Sequence, residues 1–418
     1  MKIREHTLRD YQFSIINYQL KKMYKLKEIA DKVYYVGVND RQKALFENMW
    51  PLPYGVSYNS YLIVDEKTVL IDTVDVCYSD IFLKKVADAL DGRSLDYLVV
   101  NHMEPDHAGS IRLLRQQYPD VQIVGNNKTF GMLEGYHGIK EGLFEVKEGD
   151  TLNTGRHELV FYMAPMVHWP EVMVSLDESE GALYSADAFG KFGTLDKCGF
   201  YGRDDADWSS EARRYYFNIV GKYGGPVQTL LGKLKGQDIR AIRPLHGPIL
   251  EDNLGEYLSL YDTWSKYEPE TEGVFIAAAS IHGGTLKAAE KLTEMLRGKG
   301  VGKVVVSDLC RSDIAENVED AFRYSSMIVA ASSYDGGLFT PMYDFLHRLQ
   351  IKGYTKRNVG ILENGSWAPC AGRIMKEMLS QMKEINIVEP TVTIRSRMKS
   401  SDLPAMETLA TEIKLLNK

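Results

Sequence analysis

The chain has 418 residues, 44% of them hydrophobic, with a formal net charge of −7. That length allows two domains with a sizeable core each, and the acidic balance argues against a nucleic-acid partner. No run approaches membrane-spanning length and no apolar signal-peptide core opens the chain, so a cytoplasmic protein with no membrane attachment is expected.

Residues 1–22, MKIREHTLRDYQFSIINYQLKK, stand outside the pattern of the rest of the chain: an accessory helix, a partner-binding segment or an upstream start. A β-rich domain is expected from about Met23, with KVYYVGV (32–38) as its first clear strand. LDYLVV (95–100) reads as a buried strand, and SIRLLRQQY after Gly109 as a helix. Between them lies His-Met-Glu-Pro-Asp-His, which places His102, Glu104, Asp106 and His107 within six residues at a strand's C-terminal end. Alternation along an extended stretch lets His102, Glu104 and Asp106 face one cavity, and His107 turns in where Pro105 stiffens a bend.

Further ligand types follow later apolar segments: His168 after LVFYMAPMV, Asp187 after GALYSA and His246 after IRAIRPL. A lone histidine is more often simply packed, but carboxylates and imidazoles crowded into six residues are costly without a cation. Four imidazoles and three carboxylates exceed what one metal requires, so a binuclear centre is the economical reading, with Asp187 as the candidate bridge.

The pattern changes after SKYEPETEG (265–273), which reads as a short polar linker. VFIAAAS, VGKVVVSDL, SSMIVAASS, NVGILEN and EPTVTIR alternate with helical segments and predict a doubly wound parallel sheet, whose ligands bind at the strands' C-terminal ends. The first such loop, Ser280-Ile281-His282-Gly283-Gly284-Thr285, runs into the helix LKAAEKLTEML, and its hydroxyls and small residues suit a phosphate. Two more loops join it: Ser332-Ser333-Tyr334-Asp335-Gly336-Gly337 and, after Glu363, Asn364-Gly365-Ser366-Trp367-Ala368. The halves also differ in charge, net −9 over residues 1–270 and net +2 over 271–418.

His-x-Glu-x-Asp-His followed by His, Asp and His at these separations resembles the flavodiiron proteins, and the likeness extends over about residues 24–418. It implies a metallo-β-lactamase-like αββα domain over 23–268 and a flavodoxin-like doubly wound parallel sheet over 269–418, behind the extension 1–22. Hydrolytic members of the first fold carry His where this chain has Glu104, and the added carboxylate moves the donor set toward iron. The resemblance implies a non-haem diiron site, with His102, Glu104 and His168 on one iron, Asp106, His107 and His246 on the other, and Asp187 between. It also implies FMN in the three loops, with Tyr334 and Trp367 placed to stack on the flavin.

The activity so implied is reduction of O2 to water, of NO to N2O, or of both. Four cysteines, Cys77, Cys198, Cys310 and Cys370, form no Cys-x-x-Cys pair, so no fused rubredoxin is expected and electrons come from a separate donor, rubredoxin or a rubredoxin reductase system. The resemblance further implies a head-to-tail homodimer or a dimer of dimers. Phe46, Glu47, Trp50, Tyr54 and Trp169 are candidates to line the substrate pocket. Two other readings are a dinuclear zinc hydrolase with an appended flavodoxin-like domain, and a non-enzymatic electron carrier; bound flavin and iron separate the first, turnover the second.

Overall fold

The computed structural model describes residues 26–417, so the expected extension 1–22 lies outside it. By internal packing these residues form two units, neither of them one stretch of chain. The first takes the chain through Ala44, Leu52–Trp208 and Thr229–Leu254; the second takes Leu45–Pro51, Ser209–Gln228 and everything from Gly255 onward.

Among the described residues the first unit holds a seven-stranded and a five-stranded sheet. Their facing side chains, among them Tyr61, Ile63, Val69, Ile71, Val99 and Val124 from one sheet and Leu159, Phe161, Met173 and Tyr184 from the other, make one buried core. On the first sheet the alternate residues Leu62, Leu70, Leu98 and Ile123 are also fully buried. That sheet is therefore covered on both faces, which explains why LDYLVV reads as a continuous apolar run. Helices Ser79–Leu90, Ile111–Gln117 and Asn127–His137, which link strands of that sheet, bury Phe82, Val86, Leu90, Leu114 and Leu133 and form one outer helix layer of the αββα order. The last of these begins where the Asn126 side chain accepts from the amides of Lys128 and Thr129, and ends at left-handed Gly138.

The expected first strand is divided. Val33–Tyr35 joins the large sheet beside an earlier strand, Lys27–Ala30, whereas Val38–Asp40 pairs with Val56–Tyr58 in a separate ribbon. Gly37 sits at the break, where a Cβ would lie 2.4 Å from the Tyr58 carbonyl oxygen and 2.8 Å from Asn59 Cα. The close approach of these two backbones excludes any side chain.

In the second unit, strands Val304–Asp308, Thr271–Ala279, Tyr324–Tyr334, Arg357–Asn364 and Ile385–Ile394 lie side by side in that order, all parallel. This is the 2-1-3-4-5 order of flavodoxin-like sheets. Val274, Ile276 and Ala278 pack on one face against Ala289, Leu292, Leu409 and Ile413, while Phe275, Ala277 and Ala279 are buried on the other.

The expected polar linker is not one. Ser265 ends helix Leu254–Ser265, Thr271 opens a strand, and Glu270 between them accepts from Arg213 Nε at 2.6 Å, Arg213 Nη2 at 2.7 Å and Trp264 Nε1 at 2.7 Å. Composition marked the stretch as polar, but its carboxylate is the partner of a buried arginine. Among the described residues, no helix is long and apolar enough to cross a membrane.

Candidate metal centre and ligand cleft

The seven expected ligands converge, all in the first unit. His102 follows strand Tyr97–Val99, Asp187 follows Ala182–Tyr184, His246 follows Ala241–Arg243, and His168 lies beyond Glu158–Met163. Both sheets thus deliver ligands from strand ends, where side chains are fixed by the core but not yet paired. The motif itself is not extended throughout. Glu104 caps the short helix Pro105–Ala108, with Pro105 in its first turn, so Asp106 and His107 enter from a helical turn rather than by strand alternation.

Two groups result: His102, Glu104, His168 and Asp187, and Asp106, His107 and His246, all buried. Asp187 belongs to both by geometry. Its Oδ2 lies 3.0 Å from His168 Nε2 and 3.4 Å from His102 Nε2, and its Oδ1 lies 3.3 Å from His107 Nε2 and 3.6 Å from His246 Nε2. Glu104 Oε2 is 3.0 Å from His168 Nε2, and Asp106 Oδ2 is 3.4 Å from His246 Nε2.

Partners behind the ligands settle the tautomers. His102 Nδ1 donates to Glu171 Oε1 at 2.9 Å and His246 Nδ1 donates to the Ser57 carbonyl at 2.7 Å. A carboxylate and a carbonyl only accept, so the Nδ1 atoms carry the protons and the Nε2 lone pairs face the centre. Asp72, buried behind the motif, accepts from the amides of Asn101 and His102.

This arrangement is incomplete without a cation. His107 Nε2 and His246 Nε2 face each other at 3.0 Å, and Asp187 Oδ1 and both Asp106 oxygens have no hydrogen-bond partner. Burial, with the Glu104 charge beside it, pushes the Asp106 carboxyl up to about 7, while burial and the neighbouring His107 hold His246 below its ordinary value. Burial also opposes charge on His168, yet its bonds to Asp187 and Glu104 push it up to about 9. The carboxylates and His168 favour positive charge while His246 stays neutral, and imidazole and carboxylate donors in these numbers suit divalent metal. Replacing Glu171 with Gln keeps an acceptor near His102 Nδ1 but removes the negative charge that makes the imidazole a stronger donor. Metal affinity should fall by about 10–100-fold, as measured by ferrous titration of the metal-free protein.

In the second unit, a cleft of about 850 Å3 opens at the C-terminal ends of the parallel strands. It is lined by Ser280, Ile281, His282, Gly283, Gly284 and Thr285, by Ser332, Ser333, Tyr334, Asp335 and Gly336, and by Asn364, Gly365, Ser366, Trp367 and Ala368. Gly337, beside these residues, forms the two-residue strand Gly337–Leu338 that folds back on Ser333 and Tyr334. The Ser280 hydroxyl accepts from the Thr285 amide and the Thr285 hydroxyl bonds that of Ser332, so the first turn of helix Gly284–Gly298 is held open toward the cleft. Trp367 is 86% exposed and Tyr334 46%, leaving aromatic faces free at the rim. A cleft of this volume with a helix N-terminus, hydroxyls and aromatics fits a flavin mononucleotide.

Sequence reasoning missed Glu171, Asp72 and Ser57 around the metal cavity, and Lys287, Ser396, Arg397 and Met398 in the cleft. The last three could have been found, because they follow the fifth strand and ligands of such sheets sit at strand ends. Of the proposed pocket aromatics, Trp169 stands edge-on to His102, with ring centres 5.4 Å apart. Phe46, Glu47 and Trp50 belong to the second unit, where Phe46 meets Tyr215 edge-on and the Arg348 guanidinium lies 5.2 Å from the Trp50 ring. Tyr54 is exposed. A third group, His157, Asp177 and Glu180, is satisfied without metal, since Arg156 bonds His157 and Arg243 bonds Glu180.

A metal-binding αββα sandwich and a flavodoxin-like sheet in one chain define a two-part redox protein. A family model described as ODP family beta lactamase matches residues 56–247. The nitric oxide reductase of Moorella thermoacetica is 30% identical over 388 residues, which span 90% of this chain and 94% of that protein. Among solved structures, rubredoxin oxygen:oxidoreductase from Desulfovibrio gigas matches with a TM-score of 0.88 at 26% identity, covering 94% of this chain and 98% of that one. A flavo-diiron protein variant from Thermotoga maritima matches with a TM-score of 0.84 at 27% identity, with the same coverages. The chain belongs to the flavodiiron protein family and is an oxidoreductase.

Proposed function

We propose that this protein reduces O2 to water, NO to N2O, or both, at a non-haem diiron site fed by FMN. One observation carries the reading: the two Asp187 oxygens face opposite ligand groups, the arrangement a bridging carboxylate needs. His102, Glu104 and His168 would hold one iron, Asp106, His107 and His246 the other, and Asp187 both. FMN would occupy the cleft lined by the Ser280–Thr285, Ser332–Gly336 and Asn364–Ala368 loops, within a flavodoxin-like domain assigned to 269–418 behind a diiron domain at 23–268.

When bound, two ferrous ions and reduced flavin supply four electrons, enough for O2 and four protons to give two waters, or for two NO and two protons to give N2O and water in a two-electron step. The protein's own share is to hold the donors still. Glu171 and Ser57 fix the His102 and His246 rings, and Trp169 packs edge-on against His102. The relatives' names, a nitric oxide reductase and a rubredoxin oxygen:oxidoreductase, support both substrates and a rubredoxin-type donor.

The test is to reduce the full chain through rubredoxin and its reductase, then follow O2 and NO with electrodes. O2 should disappear with little return on adding catalase. A large return would exclude four-electron reduction, and zinc in place of iron with no flavin would favour a hydrolase. The proposed head-to-tail dimer is tested by mixing His102→Ala with a Ser280→Ala/Thr285→Ala variant under subunit exchange. Recovered turnover supports transfer across subunits; none after verified exchange refutes it.

A further inference from the structure

The turn that carries His246 is held from one side by residues 57–61, with the Asn59 side chain making two of the bonds. Asn59 is fully buried between strands Val56–Tyr58 and Tyr61–Val64. Its Nδ2 donates at 2.8 Å to the carbonyl of Pro244 and at 2.8 Å to that of Gly247, the residues that bracket Leu245 and His246. Its backbone amide donates to the Leu245 carbonyl at 2.8 Å, and its Oδ1 accepts from the Tyr35 hydroxyl at 3.0 Å. The same stretch of chain adds three further bonds: Tyr61 OH to the Pro244 carbonyl, the Gly247 amide to Ser57 Oγ, and His246 Nδ1 to the Ser57 carbonyl. From the opposite side the Leu245 amide donates to the Ala186 carbonyl, next to Asp187.

The backbones approach closely here. A Cβ on Gly37 would lie 2.8 Å from Asn59 Cα, and Gly247, at φ +77, would carry a Cβ 2.5 Å from Lys191 Cγ. Only a primary amide supplies two donors and one acceptor in this space. A carboxylate of the same shape would set an oxygen against two carbonyl oxygens, and an apolar side chain would leave both carbonyls buried and unpaired.

We propose that Asn59 is a positioning residue for His246, locking the Pro244–Gly247 turn so that the imidazole meets the metal shared with Asp106 and His107. Asn59 touches no metal ligand atom and acts through the turn. The inference rests on the diiron reading and deepens it, because it makes one half of the centre depend on an amide that the other half does not use.

The test is anaerobic titration of the metal-free, FMN-loaded full chain with ferrous iron, counting equivalents and their affinities. Wild type should take up two. Asn59→Asp should keep one equivalent near wild-type affinity and weaken the other by ~10-fold or more, with FMN content unchanged. Tyr61→Phe, which removes the hydroxyl that bonds the Pro244 carbonyl and neighbours the Asn59 amide, should weaken that same equivalent by about threefold. Leu159→Ala, a core truncation away from the turn, serves as the control for general destabilisation and should weaken neither selectively. Two undiminished equivalents in Asn59→Asp, equal loss of both, or the same selective loss in Leu159→Ala would each overturn the proposal. If Asn59→Asp does not fold, unchanged binding in Tyr61→Phe overturns it. Fewer than two equivalents in wild type would overturn the diiron reading itself and this inference with it, a failure visible before any variant is measured.

Discussion

Replacing Asp187 with Ala should strip the protein of both metals, or leave at most one weakly held, while FMN stays bound. The side chain is fully buried and gives one oxygen to each ligand group, so its loss removes a donor from both sites and the negative charge between two cations. Burial alone would raise its carboxyl, but the imidazoles of His102, His107 and His168 hold it well below the usual carboxylate range. It is therefore ionised whenever metal is offered. Loss of outer partners already costs about 10–100-fold, so turnover should fall by at least ~100-fold. Metal analysis, flavin absorbance and an oxygen electrode check the three parts. Retained two-iron content with normal turnover would show that Asp187 is not the bridge, and loss of FMN as well would show a general folding defect.

Replacing Arg213 with Met should cost about 3–5 kcal/mol, the range for breaking a buried ion pair from one side. Arg213 is 1% exposed and bonds both Glu270 oxygens, with Glu319 Oε2 3.4 Å from its Nη1. The two carboxylates respond differently. Burial favours protonation of both, but the close two-pronged contact and the Trp264 indole hold Glu270 below its ordinary value, whereas Glu319, with one long contact and Asp320 nearby, is raised well above. Without Arg213, Glu319 takes a proton and Glu270 becomes the main penalty. A group with a depressed folded pKa stabilises fully above its unfolded value, near 4.3, and loses that contribution as pH falls through the folded value. The gap between wild type and variant should thus be widest at neutral pH and close below about pH 4. Urea unfolding followed by the buried Trp264 measures it. Adding Glu270→Gln should recover part of the loss, and a double variant no better than Arg213→Met would show that the penalty lies elsewhere.

How legible the chain was depended on whether local chemistry or long-range pairing set each feature. The metal ligands could be read because four of them share six residues and the others close apolar strands, a pattern with a chemical cost that only a cation offsets. The three central parallel strands, Thr271–Ala279, Tyr324–Tyr334 and Arg357–Asn364, could be read because they are buried on both faces over most of their length, whereas the edge strands Val304–Asp308 and Ile385–Ile394 are only partly buried and were read from their β-branched residues. Glu171 and Asn59 could not, since a lone carboxylate and a lone amide carry no local signal. Their roles come from partners 69 residues away, at His102, and 185 residues away, at Pro244. The linker was misread for the same reason: SKYEPETEG is polar by composition, and only the fold brings Arg213 to Glu270. Alternation placed Asp106 correctly by the wrong geometry, because Pro105 starts a helical turn as readily as it stiffens an extended bend.

The second unit is assembled from Leu45–Pro51, Ser209–Gln228 and the chain beyond Gly255, and this imposes an order on its making. Synthesis is vectorial, and Trp50, Tyr215, Tyr216 and Phe217 are translated long before Phe322, Arg348 and the strand Ile385–Ile394. At about 5–20 residues per second, the interval between Gln228 and the end of that strand is roughly 10–30 s. For that time the aromatic-rich segment Ser209–Gln228 lacks the strands and helices it packs against in the finished unit. The time that segment spends without its partners therefore scales with translation time through residues 228–394 and not with the stability of the finished protein.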